Sequence, residues 1–261
     1  MSFQPVLPLS GYAGWRFLGR SLEAQTESHA KSPRVASLTA HFRDNIARVQ
    51  TPDDLLSDRR LLTVALEAFG LGADIDATAF IRKVLADGTT SGEALSSRLA
   101  DKRYAAFSRA FGFGDLGPRT GLPAFAQEIV TRYERLSFEA AVGEQDDALR
   151  RALNADAAIA EVIEGASSDN ARWFAMMGNA PLRSVFEAAM GLPSSFASID
   201  LDQQLEQFRD RAERIFGLSR FEDFAAPDAQ EKLVRLFLVR EQAAQAAAAG
   251  PGQIALMLLQ G

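Results

Sequence analysis

Apolar residues recur at spacings of three and four along most of this chain, the period of amphipathic α-helices. Val35, Leu38, Phe42, Ile46 and Val49 form one stripe; Phe125, Ile129, Tyr133, Leu136 and Ala140 form another. The cleanest covers 201–216, where Leu201, Leu205, Phe208, Ala212 and Ile215 step by four, three, four and three. Period-two alternation rich in Val, Ile, Thr and Tyr is missing, and no Asn-Gly or Asp-Gly turn lies between such runs, so no strand is predicted. The expectation is an all-α, multi-helix bundle.

Start and stop signals frame these stripes. Thr51-Pro52-Asp53-Asp54 reads as a cap residue, a first-turn proline and two carboxylates at the positive end of a helix. It opens a predicted helix carrying Leu55, Leu62, Leu66 and Phe69 and stopping at Gly70. Asp76 is predicted to cap the next, which stops at Gly88. A further helix carries Leu95, Leu99, Tyr104, Phe107 and Phe111. Asp169 is predicted to cap the helix with Trp173, Met176 and Met177, which read as core. Four helices share one ending: Ala68-Phe69-Gly70-Leu71, Ala110-Phe111-Gly112-Phe113, Ala189-Met190-Gly191-Leu192 and Ile215-Phe216-Gly217-Leu218. A left-handed glycine there lets later N–H groups return to the last carbonyls, while the next apolar residue packs onto the final turn.

The same ending suggests duplication. Moving 61–71 onto 182–192 superposes Leu61 on Leu182, Val64 on Val185, Ala68 on Ala189, Gly70 on Gly191 and Leu71 on Leu192. Either two related helical subdomains descend from one unit, or a helical protein reuses one cap. The predicted organisation is an extended N-terminal arm over 1–12, a helical subdomain over 13–112, a Gly/Pro-rich linker over 113–123, a second subdomain over 124–249 and an apolar tail over 250–261.

Composition narrows the partners. A net charge of −6 lacks the basic footprint of a nucleic-acid binder and suits an anionic membrane surface poorly. The absence of cysteine removes thiol catalysis, disulfides and thiolate metal sites. No apolar run approaches the roughly 20 residues that span a bilayer, so a soluble chain without membrane insertion is expected.

The search for chemistry is negative. Gly112-Phe113-Gly114-Asp115-Leu116-Gly117 matches the G-x-G-x-x-G pattern, but a helix, not a strand, delivers it and Pro118 follows. It reads as a helix stop and linker. His29 and His41 cannot form an i, i+4 ligand pair and read as solvated surface residues. Asp74-Ile75-Asp76 and Asp200-Leu201-Asp202 lack the further ligands and the sixth-position glycine of a calcium loop and read as caps. Asp146-Asp147 fits a helix start, and Asp58-Arg59-Arg60 and Asp101-Lys102-Arg103-Tyr104 fit helix-face ion pairs. No catalytic, cofactor-binding or metal-ligating residue is therefore assigned, and no cofactor is expected. The candidate binding segment is the tail, where Ile254, Leu256, Met257, Leu258 and Leu259 either fold back into the core or dock on a partner.

Several segments carry a family resemblance. They are Met1 to Trp15, Ser57-Asp58-Arg59-Arg60-Leu61-Leu62, Ala68 to Leu71, Phe80-Ile81-Arg82-Lys83-Val84-Leu85, Leu99 to Tyr104 and Ala110 to Phe113. Pro181-Leu182-Arg183, Gly191 to Phe196, Asp202-Gln203-Gln204 and Phe237-Leu238-Val239-Arg240 add to them. Together these resemble a proteobacterial domain-of-unknown-function family encoded in flagellar gene clusters. The resemblance implies association with the bacterial flagellum, with no established activity and no catalytic residues to carry over. It points to a non-enzymatic structural, assembly or accessory protein contacting other flagellar proteins, in the flagellum or the cytoplasm. The alternative is a cytosolic chaperone or binding module for an exported flagellar subunit.

Overall fold

The way each helix stops organises this fold. The computed structural model describes residues 3–99 and 101–248. Among them lie thirteen α-helices and no strand. They are α1 (Gly11–Ala30), α2 (Pro33–Asn45), α3 (Pro52–Ser57), α4 (Arg59–Glu67), α5 (Thr78–Asp87), α6 (Leu95–Arg98) and α7 (Arg103–Phe111), followed by α8 (Phe125–Gly143), α9 (Asp147–Gly165), α10 (Asp169–Gly178), α11 (Ala180–Met190), α12 (Leu201–Phe216) and α13 (Pro227–Ala248). All four predicted stop glycines are left-handed, at φ +68° (Gly70), +75° (Gly112), +65° (Gly191) and +74° (Gly217). Leu71 N–H returns to Leu66 O at 2.9 Å and Leu192 N–H to Glu187 O at 2.9 Å, the paired geometry that satisfies otherwise orphaned carbonyls.

The chain divides into two compact units, Met1–Val6 with Ser21–Ala141, and Leu7–Arg20 with Val142–Gly261. The division falls inside α8, not at 113–123. That glycine-rich stretch belongs to the first unit because it is fastened there. Gly114 lies against Gly88, where an added Cβ would come within 2.3 Å of Gly88 N and 2.4 Å of Ala86 O. Thr120 Oγ1 donates to Val49 O at 2.6 Å.

In the first unit α4 is the central helix, burying Leu61, Leu62, Val64, Ala65 and Leu66. Phe107 meets Phe69 edge-on at 5.4 Å, and Phe111 meets Phe125 edge-on at 5.1 Å. The second unit is built on α11, whose Leu182, Val185, Phe186, Ala189 and Met190 are buried. Trp173, Met176 and Met177 are core there, with Trp173 enclosed by Phe186, Phe208, Phe221 and Phe224. Each such leucine or aromatic side chain contributes about 1.5–3 kcal/mol by leaving water.

Four predicted boundaries are corrected. The single helix expected from Thr51 to Gly70 is two, because Asp58 turns extended (φ −109°) and accepts Arg60 N–H at 2.9 Å and Leu61 N–H at 3.1 Å. A short acidic side chain competes for backbone donors in this way and ends one helix while starting the next. The expected helix over Leu95 to Phe111 likewise appears as α6 and α7. Asp76 caps nothing and pairs with Arg59 at 2.9 Å, while Ser168, not Asp169, caps α10.

The two units repeat one local plan. Thr51 and Ser168 cap α3 and α10 by accepting the N–H of Asp54 and Ala171. One extended residue follows each short helix, and Asp58 and Asn179 there accept the N–H of Leu61 and Leu182 at 3.1 and 3.2 Å. The next helix ends in Gly-Leu and leads into a short 3₁₀ turn, Gly72–Asp74 or Ser194–Ser198. Finally Arg132 Nε of α8 donates to Ala68 O at 2.7 Å, and Arg240 Nη1 of α13 donates to Ala189 O at 2.6 Å. Caps recur in any helical protein. An arginine from a distant helix reaching the carbonyl two residues before the glycine in both units is a tertiary match, and it favours duplication. Around these arginines Phe125, Ile129 and Val130 align with Leu233, Phe237 and Leu238, and all six are buried.

Two glycine substitutions separate the contributions. Gly217→Ala meets no atom within 4 Å and should cost about 1–2 kcal/mol from its left-handed φ alone. Gly191→Ala adds a Cβ 2.8 Å from Arg240 Nη1 and should cost more, because it also displaces the bond to Ala189 O. Urea denaturation measures both; equal losses would show that the Arg240 clamp contributes nothing.

Candidate functional site

Every chemically suggestive motif of the described residues has a structural partner. The glycine-rich segment after α7 is a rigid bracket. Burial pushes the Asp115 carboxyl up, but donors outweigh it and hold it below the usual carboxylate range. They are Thr89 N–H at 2.6 Å, Thr89 Oγ1 at 3.0 Å and Thr90 N–H at 3.1 Å. Gly117 N–H returns to Gly112 O and Arg119 N–H to Phe111 O. The N–H groups of Asp115, Gly117 and Arg119, which a dinucleotide loop could aim at a pyrophosphate, are spent on the protein itself. Leu116 at the tip is fully exposed, and Leu122 is half-exposed.

The histidines are not solvated surface residues. His41 Nε2 lies 2.7 Å from Asp58 Oδ2, and Asn45 Nδ2 lies 3.3 Å from its Nδ1. Ser37, one turn earlier, accepts Arg60 Nη2 at 3.0 Å and is not joined to the ring in a serine–histidine relay. His29 is buried against Phe138, with Nε2 2.9 Å from Ser137 Oγ. Sequence periodicity could not reveal this, since both contacts come from elements distant in the chain.

The carboxylates are equally occupied. Asp74 accepts Tyr104 Oη at 2.8 Å, and burial first, then this bond, pushes the phenol up to about 12. Asp101 binds Arg103 at 2.7 Å, and Arg103 in turn donates to Gly70 O at 2.6 Å. Asp146 caps α9 through Leu149 N–H, and Asp147 pairs with Arg150 and Arg151. Asp200 caps α12 through Asp202 N–H. The structure also reveals an arginine-rich network that sequence reasoning missed: Arg209 binds Asp169 and Asn170, Asp169 accepts Phe221 N–H, and Arg172 binds Glu222. Its contacts span 39 to 52 positions and leave no local pattern.

Among the described residues no group of three or more His, Asp or Glu is placed to hold a metal. No helix among them is long and apolar enough to cross a membrane. The candidate binding residues Ile254, Leu256, Met257, Leu258 and Leu259 lie outside the described residues. The helix leading to them, α13, is exposed from Gln242 to Ala247.

A family model described as "protein of unknown function (DUF1217)" matches residues 68–229, well over half of the 261-residue chain. The chain belongs to this family. The DUF1217 match begins at the end of α4 and runs into the first turn of α13, so it takes in both glycine–leucine caps described above. The chain is also similar to the crystal structure of protein AGR_C_984 from Agrobacterium tumefaciens, a structural genomics target. The TM-score is 0.70 and the identity 25%, over 92% of this chain and 98% of that one. No match is found among curated proteins.

If the glycine-rich bracket is structural, Gly114→Ala should lower the melting temperature by several degrees, since its Cβ would overlap the backbone of Gly88 and Ala86. Adding NAD or ATP should leave the wild-type melting curve unmoved. A nucleotide-induced rise would reinstate the binding reading.

Proposed function

We propose that this DUF1217 protein is a non-enzymatic, flagellum-associated structural, assembly or accessory protein that acts through protein–protein contacts. The observation that carries this reading is the resemblance of positions 57–71, 80–85, 99–104, 110–113 and 181–196 to proteins encoded in flagellar gene clusters. Two further features support it. The polar residues that could have served chemistry cap helices or clamp them together. Two of the exposed apolar residues, Leu116 and Leu122, sit on a segment fastened by hydrogen bonds, and a contact there loses little conformational freedom on binding.

The apolar tail, with Ile254, Leu256, Met257, Leu258 and Leu259, supplies a second contact in this reading. A clean deletion of the gene should impair flagellation or swimming, and the full chain should restore it. A chain ending at Ala249 should restore it poorly. Fractionation then separates the roles: a structural part co-purifies with basal bodies or filaments, whereas a chaperone stays in the cytosol and traps an unassembled subunit. Normal flagella and normal motility in the deletion strain overturn the proposal.

A further inference from the structure

One buried titratable side chain of the first unit is absorbed by no cap and no ion pair. His29, in the last turn of α1, meets Phe3 edge-on at 5.1 Å and Phe138 edge-on at 5.8 Å. Phe3 and Phe138 themselves lie 6.3 Å apart. Two of these rings come from helices; the third comes from the extended N-terminal arm. Further along the arm, Val6 N–H donates to Gln25 Oε1 at 2.7 Å, and Gln25 Nε2 donates back to Val6 O at 3.2 Å. The arm is thus held at an aromatic end and a polar end.

The hydrogen bonds fix the ring's protonation. Ser137 Oγ donates to Glu134 O at 3.2 Å, so that oxygen receives its bond from His29 Nε2 at 2.9 Å. The neutral ring therefore carries its proton on Nε2. Nδ1 is left as a lone pair, enclosed and without a partner. A second proton would create a buried donor with no acceptor.

The charged groups around it are committed elsewhere. Glu27 of α1 and Lys31 just beyond its end pair with each other in solvent. On α8, Glu134 pairs with Arg43 of α2 at 3.6 Å, and Glu139 with Arg135 at 2.8 Å. Residues 3–6 of the arm carry no ionisable side chain. Burial alone pushes the imidazole below its ordinary value of 6.5.

We propose that His29 is a pH-sensitive catch for the N-terminal arm: neutral, it holds Phe3 beside Phe138; protonated, it releases residues 3–6. The sign follows from linkage. A group whose folded-state affinity for protons is depressed favours the latched state above pH 6.5 and ceases to do so as pH falls through the folded value. Release presents Phe3 and Pro5 beside the already exposed Val6 as an extended apolar peptide. This inference rests on the first unit alone and is independent of the flagellar reading.

The chain has no cysteine, so Gln4→Cys, at an exposed position, carries a single nitroxide on the full-length protein. Its electron paramagnetic resonance spectrum should change from mainly immobilised at about pH 7.5 to mainly mobile at about pH 5. The midpoint should lie below 6.5, with unchanged helical circular dichroism. His29→Gln retains a donor for Ser137 but cannot titrate, and His29→Leu keeps the site apolar; both should abolish the pH dependence. Phe3→Ala should free the label at either pH. Constant mobility in the wild-type background overturns the proposal, as does pH-dependent release that survives in both His29 variants. Release that occurs only with global loss of helix overturns it too.

Discussion

Both units depend on satisfying the carbonyl groups where α4 and α11 end. These are the most buried helices of their units, and their final carbonyls cannot all turn to water. A left-handed glycine recovers some of them for the backbone, and an arginine from the last helix of the unit takes another, Arg132 at Ala68 and Arg240 at Ala189. The cationic partner also lies at the negative end of the helix dipole, so one contact satisfies a carbonyl and complements the field. The second unit applies this once more, with Lys232 Nζ donating to Ile215 O at the end of α12.

This constraint accounts for where much of the polar chemistry of the described residues goes. Arg103, Arg132, Lys232 and Arg240 are spent on helix ends; Asp58, Asp146, Asp200, Thr51 and Ser168 are spent on helix starts. Short helices multiply termini, and each terminus draws polar residues into structural service. The bracket after α7 exposes two leucines, Leu116 and Leu122, on a backbone held by Asp115 and Thr120.

The helical class, the four glycine stops, the start of α9 and the extent of α12 were legible because each depends on interactions within a few residues: periodicity, a cap, a left-handed turn. The break at Asp58 was not. Locally the sequence reads through it as one helix. Only the approach of His41, which takes the second carboxylate oxygen at 2.7 Å, completes the reason for Asp58 to leave helical geometry. The same holds for Asp169, read as a cap from its position beside a helix start, but committed to Arg209 and Phe221 from other elements.

By itself the sequence determined that this chain is helical, where five of its helices stop, and that its carboxylates and histidines lack the spacing of a metal or catalytic motif. These follow from local geometry and residue chemistry. Only the tertiary structure decided that the glycine-rich stretch is a bracket and not a linker, that His29 is enclosed by two phenylalanine rings, and that an arginine closes the same carbonyl in both units. Those outcomes rest on backbones meeting at Gly88 and Gly114, and on side chains meeting across 64 and 51 residues of sequence, separations at which a one-dimensional pattern carries no distance.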